Sequence, residues 1–440
     1  MSLLIASAAS SPNPWMVLPF VVLLLCVAIF PVMAAHHWER HYPKIATGLG
    51  AITTAYYLAG LADAAPVLHA IEEYLRFMAL IASLYVISGG ICIHAGRGAT
   101  PLKNTGFLLM GAVLANVVGT TGASMLLIRP WIRLNRSRFA AHHVAFFIFI
   151  VSNAGGSLTP IGDPPLFLGY LRGVPFWWML RHAWLIWIFV ICALLFLFLV
   201  LDRRNFQNAP APQEISPHLP HHPSFRGWGN LVALGIVLAA AFIPSDWKIR
   251  FHGAGITAGA LLMLAAAAAS YFLTPKSLHH ANEFHLQPIA EVAWIFLGIF
   301  LTMIPALTLL ASGHAVQVRT PVANYLACGG LSSLLDNAPT YLAFLAAHMG
   351  SQGLDVQSAA DVRQYATAGE PFLLAISLGA VFFGAATYIG NGPNFMVKSI
   401  CERAGVPVPS FPAYVWRWSL PFLLPVIAAA AWMLGSAPSR

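Results

Sequence analysis

Charge is scarce in this sequence. Only 9% of its 440 residues are Asp, Glu, Lys or Arg, against 58% hydrophobic residues, too few to cover the surface of a soluble protein of this size. No Lys or Arg precedes Arg40, so the positive start of a signal peptide is missing, and Trp15 to Ala34 is read as a retained helix. Cysteines are few and scattered. Cys26, Cys92, Cys192, Cys328 and Cys401 form no CxxC pair, which argues against a disulfide or zinc framework and leaves them as small apolar residues. The apolar runs also lack the alternation of membrane-barrel strands. What is there is a series of such runs, among them Ala183 to Leu201 and Leu420 to Leu434, long enough or nearly so to cross a ~30 Å hydrocarbon core as helices. The net charge of +8 falls on the loops between them, so it reports orientation and not a nucleic-acid partner.

Hydropathy predicts a helix at 15–34, a basic loop HHWERHYPK, a helix at 45–62, an acidic turn around Asp63, Glu72 and Glu73, and a helix at 75–95. Asn104 to Ile128 is apolar but broken by Gly119, Thr120, Thr121 and Gly122, with positive charge on both flanks, for which a re-entrant hairpin is the simplest geometry and a straight span the alternative. The segment 139–171 reads as a broken helix and 179–201 as a closing helix. A polar stretch at 202–227, rich in Pro and His and containing HLPHHP, reads as a solvated linker. Helices at 228–244, 253–273 and 288–311 follow, then a hairpin at 321–347 broken at LLDNAP, a broken helix at 368–400 and a last helix at 413–434.

The order of the first half is thus repeated in the second, and the breaks carry the repeat in their letters. Gly155 to Leu168 reads GGSLTPIGDPPLFL, and Gly384 to Met396 reads GAATYIGNGPNFM; Thr159, Ile161, Gly162, Pro165 and Phe167 recur 228 positions later as Thr387, Ile389, Gly390, Pro393 and Phe395. The expected fold is an all-α polytopic membrane protein with two repeats, 1–201 and 228–440, joined by the linker. Each has five crossings, one of them a broken helix, plus one hairpin. An odd number of crossings inverts the second repeat. With both termini outside, 15 Lys and Arg fall inside and 8 outside, which the positive-inside rule favours; the first hairpin then opens to the cytoplasm and the second outward. The expected location is the cell inner membrane.

Inverted repeats with helices broken at matching positions are the signature of a secondary transporter whose site lies at the repeat interface. Unwinding a helix in lipid is costly unless the freed backbone lines a cavity or binds something. Gly119, Thr120, Gly155, Gly156, Pro160, Gly162, Pro164, Pro165, Gly390, Gly392 and Pro393 are the residues expected to break the helices. Two acids lie in the breaks, Asp163 and Asp336. Burial disfavours the charged form of a carboxylate, which brings proton exchange within reach of neutral pH; capping a half-helix is the alternative role. Ser152, Asn153, Ser157 and Thr159, with Ser333, Asn337, Thr387, Asn391 and Asn394, add the neutral oxygens that a hard cation such as sodium wants. Asp163 faces Asn391 in the repeat, so the halves are chemically unequal.

SNAGGSLTPIGDPPLFL, SSLLDNAPT and GAATYIGNGPNF resemble the signature breaks of the ion transporter superfamily, closest to its bacterial branch of citrate transporters and NhaD-type sodium/proton antiporters. The resemblance spans nearly the whole chain. It implies a scaffold and a moving transport domain, often in a homodimer, and points to Ser152, Asn153, Thr159, Asp163, Asp336, Asn337, Thr387 and Asn391 as site residues. The first hairpin departs from it, with Gly119-Thr120 where antiporter relatives carry Asp-Asn.

Two functions stay in view. Sodium/proton antiport is favoured by the two acids and by breaks without Lys or Arg; cation-coupled uptake of citrate or another organic anion is the alternative. The partners expected are a small inorganic cation and protons, then an organic anion, and membrane lipid, with sodium the coupled or transported ion and no other cofactor. An enzyme would need a nucleophile with a base or a metal cluster. The nearest approach, His142-His143, has no acid nearby in sequence and reads as an interfacial pair.

Overall fold

A computed structural model of the chain describes residues 12–94, 99–208, 224–243, 247–251, 254–282, 284–311 and 318–436. Arg97 and the stretch 209–223 of the expected linker, with its HLPHHP, lie outside the described residues. The fold is mostly helical. Asn13 caps a short turn by accepting from the Trp15 N–H at 3.0 Å, and α1 (Leu18–Met33) follows. α2 (Ala35–Ala55) starts one residue later, so HHWERHYPK is helix and not loop. Its rings stack at helical spacing, His37 on His41 at 4.2 Å and Trp38 near Tyr42 at 6.0 Å, and Pro43 is carried inside. α3 (Ala65–Gly89) also begins early, nucleated by Pro66 in its first turn and by Asp63, whose Oδ1 accepts from the Ala65 N–H at 3.0 Å. Glu72 and Glu73 are therefore helical, not part of a turn.

α4 (Pro101–Asn135) is a hairpin in space. Thr100 caps its start, and at Gly119 the backbone takes φ 78° and ψ 156°, where glycine has no Cβ to clash. A straight helix of this length would run ~52 Å. Instead the arms turn back on each other: Phe107 stacks on Trp131 at 5.3 Å, and Asn104 Nδ2 donates to Asn135 Oδ1 at 2.7 Å. α5 (Ala141–Ile150) and α6 (Pro164–Arg172) are separated by the unwound stretch 151–163. Here Pro164 and Pro165 open the second helix, at first-turn positions where a missing N–H costs nothing, and do not break the first. α7 (Trp178–Asn208) runs into the expected linker.

The second half supplies α8 (Trp228–Ala240), α9 (Ala258–Leu273), α10 (Lys276–Ala281) and α11 (Gln287–Ala311). α12 (Pro321–Ser332) and α13 (Asn337–Ser351) flank the break at LLDNAP. α14 (Ala359–Ala368) and α15 (Glu370–Gly384) meet at 101°, and the unwound stretch 385–391 leads to α16 (Gly392–Arg403). α17 (Phe411–Tyr414) continues through wide turns into α18 (Leu424–Ser436). Two small antiparallel ribbons qualify the all-helical expectation. β1 (Cys92–His94) pairs with β2 (Ser224–Arg226), bringing the far end of the linker back to α3, and β3 (Lys248–Phe251) pairs with β4 (Ala254–Thr257). Among the described residues, four helical stretches are long and apolar enough to cross a membrane, one of them the folded-back α4, or five if α14 and α15 form one span.

One buried polar knot braces the first hairpin. Asp202, fully buried on α7, is gripped by Arg138 through both guanidinium nitrogens, Nη2 reaching Oδ2 at 2.9 Å, and by Asn104 Nδ2 at 2.9 Å. His142 Nε2 and His143 Nε2 lie 3.2 and 3.1 Å from its Oδ1. The pair expected to be interfacial thus has an acid partner, contributed from 60 residues away. His143 Nδ1 accepts from the Ala140 N–H at 3.1 Å, so in the neutral ring Nε2 carries the proton and offers a metal no lone pair. With Arg138 across the carboxylate, the knot is a salt-bridged brace tying both hairpin feet and α5 to α7. Arg138→Ala leaves Asp202 buried without its counter-charge, and a loss of about 3–5 kcal/mol is expected. A thermal melt of the detergent-solubilised variant that matches the parent would contradict this.

Candidate functional site

The breaks meet around Asp163. Its backbone sits at the N-cap of α6, yet its side chain makes no cap hydrogen bond. The carboxylate instead reaches across to three other elements: Thr120 Oγ1 donates to Oδ1 at 2.7 Å, Asn391 Nδ2 to Oδ1 at 3.2 Å, and Asn337 Nδ2 to Oδ2 at 2.6 Å. It is 1% exposed, and these partners are all neutral. A carboxylate offers about four lone-pair directions, so three donors leave room for one more ligand. Beside it, Asn337 Oδ1 is buried with no hydrogen-bond partner among the described residues, an acceptor free to take one.

Asp336 behaves differently. It caps α13, its Oδ1 accepting from the Ala338 N–H at 3.1 Å, and it faces a cavity shared with Trp38, Glu291, Asn391, Phe395 and Met396. Trp38, Glu291, Phe395 and Met396 also line a neighbouring depression, the mouth, edged by Arg129, His285, Lys398, Glu402 and Arg403. One acid is therefore enclosed and bridging, and the other caps a helix at the inner end of an opening.

The two breaks share their internal fastening. Thr159 Oγ1 donates to the Asn116 carbonyl and Thr387 Oγ1 to the Ser333 carbonyl, both at 2.6 Å. Each threonine also accepts from the glycine three residues on, Gly162 or Gly390, at 3.1 Å. In each break that glycine is pressed against an earlier one. A Cβ on Gly156 would lie 2.6 Å from the Gly162 carbonyl oxygen, and one on Gly390 would lie 2.6 Å from the Gly384 oxygen. The Thr120 N–H donates to the Gly162 carbonyl at 2.7 Å, so the first hairpin tip is sewn to the first break. Gly155, packed against Ala112 Cα, lets the same hairpin come close.

Not every expected site residue points inward. Asn153, Asn337, Asn391 and Asn394 are buried together with Asp163. Ser152 Oγ hydrogen-bonds Ser124 Oγ at 2.7 Å, and Ser157 turns back to the Ala154 carbonyl at 3.0 Å. Ser333 donates within its own helix to the Gly330 carbonyl at 2.7 Å, leaving the centre to its main chain. Thr159 and Thr387 are fasteners. Thr120 was expected only to break a helix and is a direct partner of Asp163; Asn116, which donates to the Gly155 carbonyl at 2.6 Å and accepts from the Leu158 N–H at 2.9 Å, was not singled out. Its position in the first hairpin, four residues before Thr120, was the available signal.

Long apolar helices and paired hydrogen-bonded breaks around a buried carboxylate define a multi-pass membrane protein of the transporter class. Residues 9–434 match the family described as "Putative citrate transport", and the chain belongs to that family. It is 26% identical over 328 residues to a protein of Mycobacterium tuberculosis named an uncharacterized transporter, covering 71% of this chain and 72% of that one. It is likewise 26% identical over 319 residues to a 46 kDa membrane protein of Mycobacterium leprae, covering 70% and 72%. An uncharacterized transporter of Synechocystis is 24% identical over 371 residues, covering 75% and 77%.

Proposed function

We propose that this transporter exchanges sodium for protons by alternating access, with Asp163 the carboxylate that both ions share. The observation that carries the reading is the bridging geometry of Asp163. Its charge is held by Thr120, Asn337 and Asn391, neutral donors from three elements, and not by a basic side chain that would already neutralise it. A cation or a proton can supply the missing positive charge, and either would draw the same elements together. Asp336, on the cavity side, is the proposed relay between the mouth and the enclosed acid. In this reading the halves 1–201 and 228–440 are inverted repeats of five crossings and one re-entrant hairpin each, in an inner membrane with both termini outside, and the protein works as a homodimer.

Coupled uptake of citrate or a related organic anion is the second reading. The family description favours it, and so does the orientation of the half-helices. α6, α13, α16 and the second arm of α4 all begin at the breaks, and helix N-termini attract carboxylates. Proteoliposomes separate the two. Internal pH is recorded after a sodium pulse, with and without citrate. Proton movement driven by sodium alone is expected; labelled citrate uptake with no such movement would replace antiport by the second reading.

A further inference from the structure

The two breaks are fastened alike but filled differently. In the second, the fully buried Asn394 side chain donates from Nδ2 to two main-chain oxygens at the end of α15 and just beyond it, Gly384 O at 2.8 Å and Thr387 O of the unwound stretch at 2.9 Å. Its Oδ1 accepts from Asn153 Nδ2 of the first break at 2.7 Å. That orientation is fixed by its surroundings. Turning the amide over would set its oxygen against two carbonyls and its NH₂ against that of Asn153. Freed carbonyls at a broken helix are the groups that coordinate a cation in transporters built on discontinuous helices. Here an NH₂ group, with its positive hydrogens, lies on them instead. The residue 228 positions earlier is Leu166, which has no donor to offer.

We propose that the Asn394 amide is a built-in substitute for a cation in the second break, so that the chain carries one exchangeable cation, on the Asp163 side, and not two related by the repeat. The inference rests on the cation-coupled reading above and adds a stoichiometry to it. It also makes Asn394 a positioning residue for Asp163. Asn153 Nδ2 donates to Asn394, Asn391 Nδ2 donates to Asn153 Oδ1 at 3.0 Å, and the same Asn391 amide reaches Asp163 Oδ1, so the filled second break braces the Asp163 carboxylate.

The test counts sodium ions bound per chain, by equilibrium dialysis of the purified full-length protein against radioactive sodium. One ion is expected for the parent. Asn394→Asp exchanges the donor for a carboxylate facing the same two carbonyls, and one additional ion is expected. Equal counts in the two proteins, or two ions in the parent, would overturn the proposal. No ion in the parent and one in the variant would sink the sodium reading of Asp163 while upholding the role of Asn394. If the variant does not purify as a monodisperse protein, the parent decides alone, with one ion in favour and any other count against.

Discussion

Asp163→Asn is expected to abolish sodium-driven proton movement while leaving the protein folded and inserted. The change removes the charge and keeps the shape. Oδ1 still accepts from Thr120 and Asn391, and the new NH₂ falls opposite Asn337 Nδ2. That donor clash has a ready remedy. Asn337 Oδ1 is buried without a partner among the described residues, so a turn of the Asn337 amide converts the clash into a hydrogen bond. Stability should therefore change little. Transport should fall by about 100-fold or more, since removing even outer partners of metal ligands costs about 10–100-fold in affinity. Initial rates in proteoliposomes, read with a melting curve of the same preparation, check both halves of the expectation; parental rates would remove Asp163 from the mechanism.

Among the described glycines, Gly162→Ala should be the most damaging single methyl. A Cβ at this position would be built onto the carbonyl oxygen of Gly156. The neighbour is backbone, so no rotamer change relieves it, and separating the strands also breaks the hydrogen bond from the Thr120 N–H to the Gly162 carbonyl. Overpacking in an ordinary core costs about 1–3 kcal/mol; an unyielding neighbour places this case at or above the upper end. Gly390→Ala meets the Gly384 and Ser332 carbonyl oxygens at 2.6 and 2.8 Å and should behave in the same way. Gly392→Ala, two residues on, meets nothing within 4 Å and should be neutral. Melting temperatures of the three variants check the ranking, and a stable Gly162→Ala with an unstable Gly392→Ala would reverse it.

The breaks were legible because prolines and glycines cluster there with polar residues between apolar runs, whereas single prolines such as Pro43 and Pro305 are carried inside helices, and because the repeat set two imperfect copies side by side. Gly119, Gly155, Gly156, Gly162 and Gly390 all mark close approaches or turns. The division of labour between the acids was not legible. Asp163 and Asp336 each precede a half-helix, and only the directions of their side chains separate a bridge from a cap. The brace at Asp202 was hidden by distance along the chain, which makes His142 and His143 look unaccompanied. The early starts of α2 and α3 are hidden because charged residues and Pro43 have the composition of a loop, whereas the described helices begin before them.

If one carboxylate serves both ions, sodium and protons must compete for it. The decisive measurement is sodium affinity of the purified protein as a function of pH, with the protons released on binding counted in weakly buffered solution. On the acid side, the apparent sodium dissociation constant should rise about tenfold per pH unit, because exclusive binding of one proton at the same site is linked to it one for one. Each sodium bound should release close to one proton there, and Asp163→Asn should lose both effects. Sodium binding that is indifferent to pH and releases no proton would contradict a shared site at Asp163.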